Sequence, residues 1–326
     1  MAAIHSPENQ AMSALDPQTQ ALINFFKAMN RPELCDLPVA MARTIYRDGR
    51  IYTQPEPPAV ALTRDFEIPG PAGKLTLREY RPINSASETR LPALVFYHGG
   101  GFTIGDLESH DVLCRELCNQ AGCAVVAVDY RMGPEHKFPA AVDDCWAATR
   151  WVVGNAATLK IDQTRIAVGG DSAGGNLAAV VALMARDAQF GAIRFQLLIY
   201  PATDLAATLP SHKTNGSGYL LTNRVMNWFM SQYIGSEKDY RDWRASPLLA
   251  TSLKGLAPAL VMTAGFDPLV DEGKAYADRL TREGVKTEYV CYEGQVHGFI
   301  TMGKLIVQAN QAVSHCAKAL KAALAV

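Results

Sequence analysis

Residues 165–185 restrict this chain more than any other stretch. The run Arg165-Ile-Ala-Val-Gly169 has the character of a buried strand, and Asn176-Leu-Ala-Ala-Val-Val-Ala-Leu-Met-Ala185 that of a buried helix. Between them stands Gly170-Asp-Ser-Ala-Gly174, followed by Gly175. A strand that becomes a helix over so short a connection needs flanking residues without bulk, which Gly170 and Gly174 supply. Ser172 then sits at the apex. A bare G-x-S-x-G pattern carries little weight, but at a strand-to-helix junction it presents a serine for nucleophilic attack. The competing reading is a serine that only caps the helix. The rest of the chain has to separate the two.

The surrounding sequence has a matching rhythm. Ala61–Ile68 and Lys74–Arg81 read as strands joined by the turn Pro69-Gly-Pro-Ala-Gly73. Ala93–Tyr97, Cys123–Val128, Phe195–Tyr200, Ala259–Thr263 and Thr287–Tyr292 read as further strands, most of them short apolar runs that suit a buried parallel sheet. Helical patterns separate them at Leu107–Gln120, Pro139–Gly154 and Glu272–Glu283, and a last helix runs to about Leu324. Alternation of this kind predicts an α/β domain with a mostly parallel sheet covered on both faces. Residues 1–54 stand apart as helical and strand-free. Asp16-Pro17 opens a helix there, with Leu22, Phe25, Phe26 and Met29 at helical spacing, and Pro32 stops it. The catalytic unit is then expected over 55–326, interrupted at about 203–245. Within that interruption Pro210–Gly218 reads as a mobile loop, and Thr222 caps a helix carrying Val225, Trp228, Phe229 and Tyr233, a candidate lid.

Bulk properties exclude several classes. The net charge is −1 and no basic run or basic-aromatic stripe occurs, which argues against a nucleic-acid partner. No apolar stretch reaches the roughly 18 residues of a membrane span, so stable membrane insertion is not expected. The first ten residues lack the features of a secretory signal. Seven cysteines scattered through apolar segments fit a reduced, cytoplasmic protein. His110, Cys114 and Cys118 would share a helix face, but no second cluster completes a zinc-like ligand set, so no metal site is expected.

A serine attacks only when a base takes its proton, and an imidazole oriented by a carboxylate does this best. Asp267 follows the strand Ala259–Thr263, and His297 follows Thr287–Tyr292. Both therefore sit at carboxyl ends of strands, where open α/β sheets build their sites. The order serine, acid, histidine is the one associated with this kind of turn. Asp271, one helical turn beyond Asp267, is the rival acid, with a helix-capping role as its alternative. His5, His136, His212 and His315 occupy weaker positions: a frayed terminus, a proline-rich turn, the loop and mid-helix. Asp171 is expected to brace the turn or a neighbouring loop and to border the substrate, and Asp143-Asp144 to lie on a solvated or capping face. His98-Gly-Gly-Gly101 follows the strand Ala93–Tyr97, where three glycines let backbone amides approach a developing oxyanion. The amide of Ala173, at a helix N-terminus, offers a second donor.

These residues resemble the hormone-sensitive-lipase-like (bacterial type IV) carboxylesterases of the α/β-hydrolase fold. The matching segments are His98-Gly-Gly-Gly-Phe102, Gly170-Asp-Ser-Ala-Gly174, Asp267-Pro-Leu-Val-Asp-Glu272 and His297-Gly298, together with the turn Asp129–Ala140, over roughly residues 60 to 326. Arg131-Met-Gly-Pro134 departs from the more usual Arg-Leu-Ala-Pro without touching the chemistry. The resemblance implies an eight-stranded sheet whose second strand is antiparallel, with the early helices as a cap. It implies Ser172 as nucleophile, His297 as base and Asp267 as its orienter. Gly99, Gly100 and the Ala173 amide would form the oxyanion hole, with no cofactor. The implied activity is hydrolysis of short-chain esters through an acyl-enzyme, and a homodimer is a family expectation.

Two other readings stay open. The same machinery serves amides, so an amidase or deacetylase is one. A catalytically silent small-molecule receptor of the same fold is the other, against which the presence of His297 counts. Phe102, Trp228, Phe229 and Tyr233 are expected to wall the acyl pocket.

Overall fold

A computed structural model describes residues 14–30, 32–86 and 88–325. The first ten residues and His5 lie outside that set. The chain opens with α1 (Pro17–Ala28), whose start is fixed by Asp16: its carboxylate accepts the amides of Gln18 at 2.9 Å and Thr19 at 3.2 Å. A 3-10 turn (Leu34–Asp36), α2 (Val39–Asp48) and a second 3-10 turn (Gly49–Tyr52) complete an N-terminal layer that holds no strand among its described residues. The apolar face expected of α1 is only partly buried. Leu22 and Ile23 are covered, whereas Phe25 and Met29 stay exposed at the mouth of a cavity.

The sheet follows as β1 (Leu62–Gly70), β2 (Gly73–Arg81), β3 (Leu91–Tyr97), β4 (Ala124–Val128), β5 (Ile161–Asp171), β6 (Ile193–Ile199), β7 (Ala259–Phe266) and β8 (Thr287–Val296). Its order is β1-β2-β4-β3-β5-β6-β7-β8. β2 runs antiparallel to both neighbours, and every pair from β4 to β8 is parallel. The central strands are apolar on both sides because helices cover both faces. α4 (Ala140–Gly154), α5 (Ala173–Asp187) and α8 (Val270–Arg282) pack on one face, while α3 (Asp111–Ala121) and α9 (Val307–Leu324) pack on the other. α8 shows how the pattern works: Gly273, Tyr276, Ala277 and Leu280 form its buried stripe, and Lys274 and Asp278 pair on its outer side.

β5 begins four residues before the run Arg165–Gly169 that announces it: Ile161 pairs with Leu91, residues 162–165 pair with neither neighbouring strand, and regular pairing resumes at Ile166. The stretch between β6 and β7 contains no strand. It holds α6 (Ser211–Thr214), α7 (Asn223–Tyr233) and two 3-10 turns. The expected mobile loop is instead packed: Ser211 and His212 are buried and hydrogen-bonded to α8 and the segment before it. Arg43 of α2 clamps the N-terminal layer to the body. Its guanidinium donates to the carbonyls of Thr103 and Gly133, both at 2.8 Å, and to Glu135. Among the described residues no helix is long and apolar enough to cross a membrane.

Candidate active site

The site is built where β3, β5, β7 and β8 end. Ser172 sits at the tip of β5 with φ 57° and ψ −116°, a conformation that L-residues rarely adopt. The strain is held in place by close approach. A Cβ on Gly174 would strike the carbonyl of Tyr97, and one on Gly170 would meet the same atom. The helix-cap reading of Ser172 fails on geometry, since its side chain makes no cap hydrogen bond to α5.

The Ser172 hydroxyl instead lies 2.8 Å from Nε2 of His297, and Nδ1 of His297 lies 2.6 Å from Oδ2 of Asp267. Asp267 is wholly buried and its other oxygen accepts the Leu269 amide at 2.8 Å. As a carboxylate it only accepts, so Nδ1 carries the proton and Nε2 is free to accept from the serine. Asp271 is not in contact with His297. It accepts the Ser211 amide at 2.8 Å, so α6 is tied to the acid loop. Asn215 adds two bonds to the carbonyls of Gly265 and Asp267.

The glycine loop corrects one expectation. The Gly99 amide donates to Asp171 Oδ1 at 2.9 Å, and Gly99 does not line the cavity above Ser172. The amides of Gly100, Gly101 and Ala173 have no hydrogen-bond partner among the described residues, and all three residues line that cavity. The unpaired amides on this loop are thus those of Gly100 and Gly101, not that of Gly99. Gly100 requires its missing side chain, because its φ is 125° and a Cβ there would collide with the Ile104 carbonyl.

Asp171 therefore braces the loop, as expected, and also reaches His110, whose Nε2 lies 3.2 Å from Oδ1. Burial raises its pKa, but His110 and the Gly99 amide outweigh that, and the net shift is downward. His98 stacks on Tyr130 at 4.3 Å, and the Tyr130 hydroxyl donates to the His98 carbonyl at 2.7 Å. Burial pushes the His98 pKa down to about 4, and neighbouring His110 adds to this. His110 was visible only as a member of an improbable metal trio. Its true partner, Asp171, is remote in sequence and gave no local signal.

The acyl-pocket expectations divide. Phe229 lines the cavity, and its ring covers the position a Gly101 side chain would take. Phe102 also lines it, with Tyr233 stacked behind at 3.9 Å and 7°. Tyr233 is fully buried and does not border the cavity, and Trp228 is turned away to the partly covered side of α7. Spacing explains this: Val225, Phe229 and Tyr233 recur every four residues on the inner face, and Trp228 falls off that line.

Two charged residues behave unlike their sequence setting. Asp144 is buried, not solvated, and holds Arg131 through a bidentate pair plus the Arg131 amide. His212 is buried with Nε2 at 2.6 Å from Glu272, whose other oxygen accepts the Thr203 and Asp204 amides. No group of three or more metal-ligating side chains occurs among the described residues.

The cavity above Ser172 measures about 1610 Å³ and is walled by the N-terminal layer, by α7 and by the His297 loop. A family model described as an alpha/beta hydrolase fold matches residues 94–301. The chain belongs to the α/β-hydrolase family. Among α/β-hydrolases with curated descriptions, it is 42% identical over 299 residues to carboxylic ester hydrolase LipN of Mycobacterium tuberculosis, covering 90% of this chain and 79% of that one. It is 42% identical over 248 residues to the ethyl acetate hydrolase of Pseudomonas putida, covering 76% and 78%. Among solved α/β-hydrolases, an enzyme from the metagenome of Lake Arreo, Spain, superposes with a TM-score of 0.92 at 44% identity, covering 96% of this chain and 99% of that one.

Proposed function

We propose that this α/β-hydrolase is a serine carboxylesterase acting on short-chain carboxylic acid esters. One observation carries the reading: a hydroxyl, an imidazole and a buried carboxylate in hydrogen-bonded series, beside backbone amides with no partner among the described residues. In the proposed reaction Ser172 Oγ attacks the ester carbonyl while its proton passes to His297 Nε2. Asp267 stabilises the imidazolium. The oxyanion is received by the amides of Gly100, Gly101 and Ala173, each such donor contributing roughly 3 kcal/mol to the transition state. The imidazolium then returns the proton to the leaving alkoxide, and water hydrolyses the acyl-Ser172 by the same steps.

Two facts support short acyl groups. Phe229 closes the wall beside Gly101, and one relative is named for ethyl acetate. The seven cysteines, all unbridged, support a reducing, cytoplasmic setting. The test is turnover of 4-nitrophenyl acetate, butyrate and octanoate, with intact-mass detection of acylated protein. Ser172→Ala must abolish both signals, and undiminished turnover in that variant would end the proposal. Parallel assay of the matching anilides separates esterase from amidase, and saturable binding without acylation would return the silent receptor.

A further inference from the structure

Among the described residues Arg50 is one of two buried arginines, with 9% of its surface exposed. The other, Arg81, faces Glu79 and donates to two carbonyls. Arg50 has no such answer. Its guanidinium lies 3.9 Å over the Tyr46 ring, Nη1 donates to Thr301 Oγ1 at 2.8 Å, and buried Nε has no partner among the described residues. No carboxylate of the described residues pairs with it. It lines the same cavity as Ser172 and His297.

The carboxylates on that cavity's inner wall are already answered. Asp171 holds Gly99 and His110, Asp204 holds Ala206 and Thr208, and Glu272 holds His212 and two amides. A buried guanidinium left with open donors is costly, and its planar fork matches a carboxylate. Thr301, which Arg50 grips, in turn donates to the carbonyl of Gly298, the residue after His297. The bond made by Nη1 therefore ties Arg50 to the His297 side of the cavity.

Resting on the esterase reading above, we propose that Arg50 anchors a carboxylate carried by the substrate itself. The preferred substrates are then half-esters of dicarboxylic acids or esters of phenolic and hydroxy acids, with neutral esters of equal size as poorer ones.

The experiment compares matched pairs. The acyl arm uses 4-nitrophenyl hydrogen adipate against 4-nitrophenyl heptanoate, and the alcohol arm uses 4-acetoxybenzoate against 4-acetoxybenzamide. In at least one arm, Arg50→Met is expected to lower the anionic-to-neutral ratio of kcat/KM by about tenfold or more, with partial retention in Arg50→Lys. The arm that responds tells which end of the ester carries the charge. Equal loss on both members of both pairs makes Arg50 a structural latch and overturns the proposal, as do unchanged ratios. Should Arg50→Met not fold, calorimetry on the wild type decides: 4-phenylbutyrate must bind about tenfold tighter than its amide, and equal binding overturns the anchor. Turnover of the neutral esters by the wild type reports on the esterase reading separately.

Discussion

The carboxylate of Asp171 and the amide of Gly99 meet at 2.9 Å, so the residue beside Ser172 also holds the loop His98–Gly101. The proposed nucleophile and oxyanion donors are thereby set relative to one another by a single side chain. Asp171→Ala leaves the Gly99 amide buried without an acceptor and releases the loop. The expected result is a kcat lowered about tenfold to a hundredfold with a much smaller change in KM, read by steady-state kinetics. An equal loss in Tm-matched Asp171→Asn would shift the weight from the hydrogen bond to the charge facing His110.

Asp267→Asn keeps the shape of the acid but offers His297 a donor in place of an acceptor. The imidazole then favours the wrong tautomer, and kcat is expected to fall by about 10⁴. Asp271→Asn, tested beside it, loses only a bond to Ser211 and should stay within about tenfold of the parent.

Ser172→Gly removes the nucleophile and at the same time relieves a backbone held at φ 57°. Activity should vanish while the protein gains about 1 kcal/mol or more in stability, measured by urea unfolding. A destabilised Ser172→Gly protein would mean that the turn is not strained.

Burial holds the His98 pKa at about 4 in the folded protein. An unfolded histidine titrates near 6.5, so between these values the unfolded chain binds more protons and stability rises with pH. Acidification from about 6.5 towards 4 should therefore lower Tm progressively. His98→Gln should flatten that slope, and an unaltered slope would place its origin elsewhere.

The inner line of α7 separates its aromatics. Phe229→Ala should extend tolerance towards octanoyl esters, because its ring closes the wall beside Gly101. Trp228→Ala should leave the chain-length profile unchanged, and chain-length kinetics on both variants decide the matter.

Much of this was legible from the chain. The elbow and the order of Ser172, Asp267 and His297 could be read because buried parallel strands announce themselves as apolar runs, and the chemistry sits at their ends. That the Gly99 amide is taken and those of Gly100 and Gly101 are not depends on where the Asp171 carboxylate points, which no local pattern encodes. His212 lies among serine, lysine, asparagine and glycine and so looks like a loop, yet Glu272 draws it into the interior from sixty residues away. Asp144 was misplaced for the same reason: its partner Arg131 lies on a turn before the helix that carries it. Trp228 falls off the four-residue line of Val225, Phe229 and Tyr233 along α7 and does not line the cavity.

The clamp made by Arg43 grips the main-chain carbonyls of Thr103 and Gly133. It also holds the Glu135 carboxylate, and Thr19 and Arg50 meet the side chains of Gln295 and Thr301, so docking of the N-terminal layer reads particular side chains of the hydrolase body as well as its contour. The two parts are thereby coupled at those positions. A lineage, or an engineer, that exchanges the layer carrying Arg50 and the cavity mouth must re-match Gln295 and Thr301, which flank His297, if the arrangement beneath is to stay as it is.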